Sequence, residues 1–155
     1  MRVIKLKPLI ISLLISLGVG ALSGFLTKDS MDVYKSLVQP PLAPPSILFP
    51  IVWTILFILM GISAYLIFIS DSPNKSTALT IYAIQLAVNF FWTIIFFNMQ
   101  MYLFAFIWLV VLWIWIIIMI INFCKINKTA ALLQIPYLIW VTFAGYLNLM
   151  IFLLN

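Results

Sequence analysis

Residues 101–124 read MYLFAFIWLVVLWIWIIIMIINFC, a run without Asp, Glu, Lys or Arg in which the segment from Trp113 to Ile121 is apolar on every face. A helix lying on a soluble core keeps one polar face, and a strand of a membrane barrel alternates apolar with polar positions; this run does neither. It reads as a helix surrounded by lipid and protein inside a bilayer, whose hydrocarbon layer of about 30 Å takes roughly 20 helical residues. Outward from it, stretches 8–26, 46–70, 77–97 and 130–154 are equally free of charge. The chain is therefore predicted to be an all-α membrane protein, a five-transmembrane-helix bundle in a single domain (1–155) with a long proline-rich loop, 27–45, between helices 1 and 2. Composition agrees, since 66% hydrophobic and 7% charged residues with a mean hydropathy of +1.28 fit no soluble globular class.

The net charge of +5 is a topology signal. With five spans, Arg2, Lys5 and Lys7 share a side with Lys75, Lys125 and Lys128, against Lys28 and Lys35 on the other. The positive-inside rule then puts the N-terminus and loops 71–76 and 125–129 in the cytoplasm, and loops 27–45 and 98–100 and the C-terminus outside. Cations so placed meet anionic lipid headgroups, and no nucleic-acid partner is expected. The first 25 residues also have the outline of a signal peptide, with basic residues, an apolar core and a small-residue run from Gly18 to Gly24. Their length favours a retained first span. Its Ser16, Gly20 and Gly24 form a small-residue stripe that suits close packing, either within one subunit or across a dimer.

Residues 27–45 differ from the rest, holding Lys28, Asp29, Asp32, Tyr34, Lys35 and the pairs Pro40-Pro41 and Pro44-Pro45. Proline fixes φ and denies helix, so a semi-rigid, non-helical cover is expected, a lid or a plain connector. The turn at Asn98 to Gln100 makes the third and fourth spans antiparallel neighbours. Within the spans, Gln85, Asn89 and Trp92 share one face of the third helix, Tyr137, Trp140, Ala144 and Asn148 one face of the fifth, and Trp53, Phe57, Met60 and Ala64 one face of the second. Amides and indoles on three faces point either to a common cavity or to hydrogen bonds between helices. Tyr102 and Trp108 read as interfacial anchors, and Pro136 as a kink.

The available chemistry is narrow. There is no His and no Glu, a single Cys, and three Asp, all in loops. No metal site and no proton relay can be assembled from these residues within the membrane. Iron-porphyrin ligation would fall to Met, Tyr or Cys124, and Cys124 reads most simply as a small buried hydrophobe.

The ordered motifs resemble the TspO/MBR family, the translocator proteins once called peripheral-type benzodiazepine receptors. They are Tyr34 and Leu37, Pro44-Pro45, Pro50, Val52-Trp53-Thr54, Met60-Gly61, Gln85-Leu86-Ala87, Asn89, Trp92, Phe96-Phe97, Pro136-Tyr137-Leu138, Trp140, Phe143-Ala144 and Leu147-Asn148. The resemblance implies a bacterial-type member in the plasma membrane, commonly a homodimer. Its pocket would lie under the first loop and admit protoporphyrin IX and benzodiazepine- or isoquinoline-type ligands. Family pocket positions carry over to Tyr34, Pro44, Trp53, Asn89, Trp140 and Ala144, with Phe57, Gln85, Trp92 and Asn148 as further lining. Val33 and Leu42 stand where the family has aromatic residues, and Phe57 where it has Tyr, removing a hydroxyl. The C-terminal sterol pattern is incomplete, because no Lys or Arg follows Tyr146; the reversed pattern of Lys28, Tyr34 and Leu37 falls in a loop.

A receptor for tetrapyrroles is thus expected, with porphyrin as ligand or substrate and no resident cofactor. Propionates would meet Lys28 or Lys35, and Trp53 and Trp140 would take part in light-dependent porphyrin breakdown, an activity the family implies, or would only stack on the ligand. The alternative is a carrier of tetrapyrroles, sterols or other lipophilic molecules. Against it, the chain shows no inverted repeats and no matching broken helices.

Overall fold

The computed structural model describes residues 3–155, so Arg2, counted above among the cytoplasmic cations, lies outside the described residues. Helix α1 covers Leu6–Thr27, and after a tight turn over Lys28–Ser30 the short α2 covers Met31–Ser36. Then come α3 (Leu48–Phe68), α4 (Lys75–Thr93), α5 (Tyr102–Cys124), α6 (Lys128–Leu133) and α7 (Ile135–Leu154). Among the described residues there is no strand, and five helical stretches are long and apolar enough to cross a membrane. The chain is an integral membrane protein built as a five-helix bundle.

The spans form a ring. The first packs on the second and third, the third on the fourth, the fourth on the fifth, and the second on α6, which opens the fifth. Large fully buried side chains such as Met60, Leu109, Leu112, Ile116, Tyr137 and Val141 fill the centre, while Leu14, Ile55, Phe91, Val111 and Ile139 face outward to lipid. Ser12 Oγ donates to Gly61 O (2.7 Å), and Ser16 Oγ to Phe57 O (2.8 Å), joining α1 to α3. A Cβ on Gly61 would lie 2.8 Å from Ser16 Oγ, and one on Gly20 2.6 Å from the Phe57 ring. Ser16 and Gly20 of the small-residue stripe are thus spent on close packing within the subunit, whereas a Cβ on Gly24, which is exposed, would meet nothing within 4 Å.

Four expectations are revised. The segment 27–45 is not a non-helical cover throughout: helix runs to Ser36, because its prolines begin only at Pro40, and the irregular stretch is 37–47. Cys124 is exposed, not buried, since it ends α5 beside Lys125 on the outward face. Trp108 does more than anchor an interface, for its Nε1 donates to Val88 O (2.7 Å) on the neighbouring α4. Pro136, expected to kink the span, falls in the first turn of α7, where its missing N–H costs nothing, and the fifth span is instead interrupted just before it, at Gln134 between α6 and α7.

Candidate functional site

Where α3 lies beside α6 the bundle is tight; farther along, where α7 replaces α6, a cavity of about 880 Å³ opens beneath α2. That volume lies within the range of small-molecule sites, about 300–1,000 Å³. Its walls come from α1, α2, α3, α7 and the C-terminal end of the third span; α5 contributes nothing. Exposed lining residues occur on α1 (Ala21, Gly24) and α3 (Pro50, Thr54), so the open side lies between these two helices.

The cover is aromatic and tied down. Tyr34, buried on α2, packs its ring against Phe49, Phe96 and Phe97 at centroid distances of 6.1, 5.9 and 5.4 Å. Phe96 and Phe97 reach it from a widened helical turn, Ile94–Asn98, that ends the third span. Asn98 Nδ2 donates to Leu26 O (3.0 Å) and Ser30 Oγ to Asn98 Oδ1 (2.6 Å), fastening this turn to the end of α1. The irregular stretch is held to α7: Tyr146 Oη donates to Pro41 O (2.8 Å), and Asn155 exchanges a pair of hydrogen bonds with Val38 (3.0 and 3.1 Å). Lys28 and Lys35 border the cavity at this end, with Lys28 Nζ lying over the ring of the exposed Phe25, 4.3 Å from its centroid.

Of the predicted site residues, Tyr34, Trp53, Phe57, Asn89, Trp92, Trp140, Ala144 and Asn148 line this one space. Pro44 and Gln85 do not. Pro44 sits in the irregular stretch, and Gln85 is fully buried behind the wall, where Tyr137 Oη donates to its Oε1 (2.8 Å). Met31, Phe49 and Ile151 also line the cavity with nothing in the sequence to mark them, because simple apolar residues carry no signal that separates a ligand wall from a core.

The polar groups differ in how free they are. Asn148 accepts from Trp92 Nε1 (3.0 Å) and donates to Tyr102 O (2.8 Å), so both ends of its amide are engaged. Asn89 Nδ2 donates to Tyr137 Oη (2.7 Å), and no described residue donates to its Oδ1. Among the indoles, Trp108, Trp113 and Trp115 of α5 clip onto Val88, Thr142 and Ile81 of neighbouring spans, and Trp92 holds Asn148. The other two, Trp53 and Trp140, line the cavity, and Trp140 Nε1 is buried without a partner among the described residues. No group of three or more His, Cys, Asp or Glu that would hold a metal occurs among the described residues.

A family model described as TspO/MBR matches residues 11–154. The chain is 41% identical over 149 residues to the tryptophan-rich protein TspO of Chlorobaculum tepidum, a match covering 95% of this chain and 94% of that one. It is 35% identical over 152 residues to the tryptophan-rich protein TspO of Archaeoglobus fulgidus (97% and 99% covered) and 33% identical over 141 residues to the translocator protein of Bos taurus (88% and 83% covered). Matched along almost its entire length, and with the five-helix architecture in place, the chain belongs to the TspO/MBR family.

Proposed function

We propose that this protein is a membrane receptor that takes a porphyrin such as protoporphyrin IX, or a flat benzodiazepine- or isoquinoline-type molecule, into the cavity beneath α2. The observation that carries the reading is the pairing of aromatic walls with two indoles, Trp53 and Trp140, that are not tied to a neighbouring helix as the other four are. Such walls suit a flat apolar macrocycle. Lys28 and Lys35 at one end suit its carboxylates. A bound porphyrin absorbs light and sensitises oxygen, so the reactive chemistry resides in the ligand while the protein supplies position and oxidisable indoles.

The test is a dark titration of purified protein with protoporphyrin, read by tryptophan quenching, followed by illumination in air, for the parent and for Trp53→Phe and Trp140→Phe. Saturable quenching and a protein-dependent loss of the porphyrin band that both substitutions abolish are the expected results. Unsaturable quenching would end the binding reading; saturable binding with no loss beyond that of free porphyrin would end the breakdown reading alone. A carrier is the second reading, favoured by the cavity's open side between α1 and α3, through which a ligand can exchange with the bilayer. It requires porphyrin flux into sealed vesicles that depends on the protein.

The chain is further proposed to lie in a bacterial plasma membrane with its N-terminus cytoplasmic, from the distribution of Lys5, Lys7, Lys75, Lys125 and Lys128 against Lys28 and Lys35. Cys124, the sole cysteine and exposed, reports on this directly. A membrane-impermeant maleimide should label it in inverted vesicles and not in intact cells, and the reverse pattern would overturn the orientation. Two copies are proposed to associate through the outer faces of the third and fourth spans, since Ser16 and Gly20 of the α1 stripe are packed against α3, Gly24 borders the cavity, and Ala83 and Ala87 are exposed one turn apart on α4.

A further inference from the structure

We infer that the cavity selects ligands presenting a hydrogen-bond donor to Asn89 Oδ1, and that this preference is set from behind the wall by Met60, Gln85 and Tyr137. The inference rests on the reading that the cavity is a ligand site, and it adds which chemical group the site reads. Four residues form one chain of contacts: Asn89 Nδ2 to Tyr137 Oη at 2.7 Å, Tyr137 Oη to Gln85 Oε1 at 2.8 Å, and Gln85 Nε2 to Met60 Sδ at 4.0 Å. Only Asn89 borders the cavity; Met60, Gln85 and Tyr137 lie outside its lining and are almost wholly buried.

The direction of this chain follows from its far end. A thioether sulfur accepts hydrogen bonds and cannot donate. It therefore turns the –NH₂ end of Gln85 toward itself, since the opposite orientation would set the amide oxygen against sulfur lone pairs with no proton between them. Gln85 Oε1 must then face Tyr137, and an amide oxygen can only accept, so the Tyr137 hydroxyl spends its one proton there. Tyr137 Oη is left to accept, which it does from Asn89 Nδ2. With its –NH₂ group turned inward, Asn89 shows the cavity its carbonyl oxygen. A buried chain of this kind resists reversal, because all three amide and hydroxyl groups must turn together in a low-dielectric interior.

Asn148, the other amide in the wall, cannot serve the same purpose, its two ends being bound to Trp92 and Tyr102. Asn89 Oδ1 is thus an acceptor without a described donor in a predominantly apolar wall. A ligand N–H or O–H at this point gains a hydrogen bond, and an ether or carbonyl oxygen there meets like charge. Tyr137, Gln85 and Met60 are positioning residues: they touch no ligand and act through the orientation of Asn89.

Carbazole and dibenzofuran, which share one flat apolar shape and differ by an N–H in place of an oxygen, are the probes. Their dissociation constants are measured fluorimetrically on the purified full chain, and the ratio of the two cancels differences common to both. The parent is expected to favour carbazole about five- to tenfold more than Asn89→Leu does, the fold-change of one hydrogen bond made without competing water. Met60→Leu, close in volume, removes the sulfur and lets the chain run either way, so its ratio is expected to fall at least threefold toward that of Asn89→Leu; Gln85→Leu provides a second route to the same loss. A purely structural role for Met60 would weaken both probes alike and leave the ratio unmoved. An equal ratio in parent and Asn89→Leu, or a parent ratio retained in Met60→Leu and Gln85→Leu, would overturn the inference. If protoporphyrin fails to displace carbazole while the ratios behave as expected, the porphyrin reading fails and donor selection stands; if neither probe binds saturably, both fail.

Discussion

Gly20 shows how much the cavity depends on single atoms. Its Cα side is covered by the Phe57 ring, and a Cβ there would sit 2.6 Å from that ring, whereas a Cβ on Gly18 meets nothing within 4 Å. Phe57 lines the cavity, so in Gly20→Ala the ring has to give way or the first and second spans have to part. Overpacking of this kind costs about 1–3 kcal/mol. Gly20→Ala is expected to weaken protoporphyrin binding about tenfold, and Gly18→Ala to leave it unchanged; equal behaviour of the two in a quenching titration would refute the packing described. At this scale the sequence is legible only in part. Spacing placed Gln85, Asn89 and Asn148 together on inward faces, and inward they are. It could not tell that Gln85 lies behind the wall, that Asn148 has both amide ends engaged and that Asn89 keeps one end free, because each outcome depends on a partner from a distant span: Tyr137, Trp92 or Tyr102.

Among the elements, the long spans were legible because lipid imposes a simple rule on sequence, and the short ones were not. α2 is hard to see in the sequence because the four prolines of 27–45 suggest irregular backbone for the whole segment, although none falls within Met31–Ser36. The break at Gln134 was visible only as Pro136, whose place in the first turn of α7 needs the end of α6 to be known. The widened turn Ile94–Asn98 has no mark in the sequence, yet it brings Phe96 and Phe97 to Tyr34. The irregular stretch 37–47 is strapped to α7 by Tyr146 and Asn155. Each such bond contributes about 0.5–1.5 kcal/mol. The double variant Tyr146→Phe, Asn155→Ala is therefore expected to raise amide exchange at residues 37–43 by tenfold or more while α3 and α5 keep their protection. Unchanged exchange in the stretch would show that the strap does not hold it.

For the molecule as a whole, the ring of spans divides the work. The fourth span is the most apolar of the five and borders no part of the cavity; its three indoles, Trp108, Trp113 and Trp115, hold the third and fifth spans in place. The first and second spans pack through small residues and serine hydroxyls and leave the open side between the C-terminal half of α1 and the N-terminal part of α3. Helices, segment 28–36 and the residues of α7 converge on one space large enough for a flat lipophilic ligand. The most direct check of this location is protoporphyrin titration of Ala144→Phe, which pushes a ring into the cavity from α7 between Trp140 and Asn148 without removing any hydrogen-bonding group. With helical content and melting temperature close to the parent's, saturable tryptophan quenching is expected to disappear. Quenching with the parent's affinity in that folded variant would contradict the placement of the ligand beneath α2.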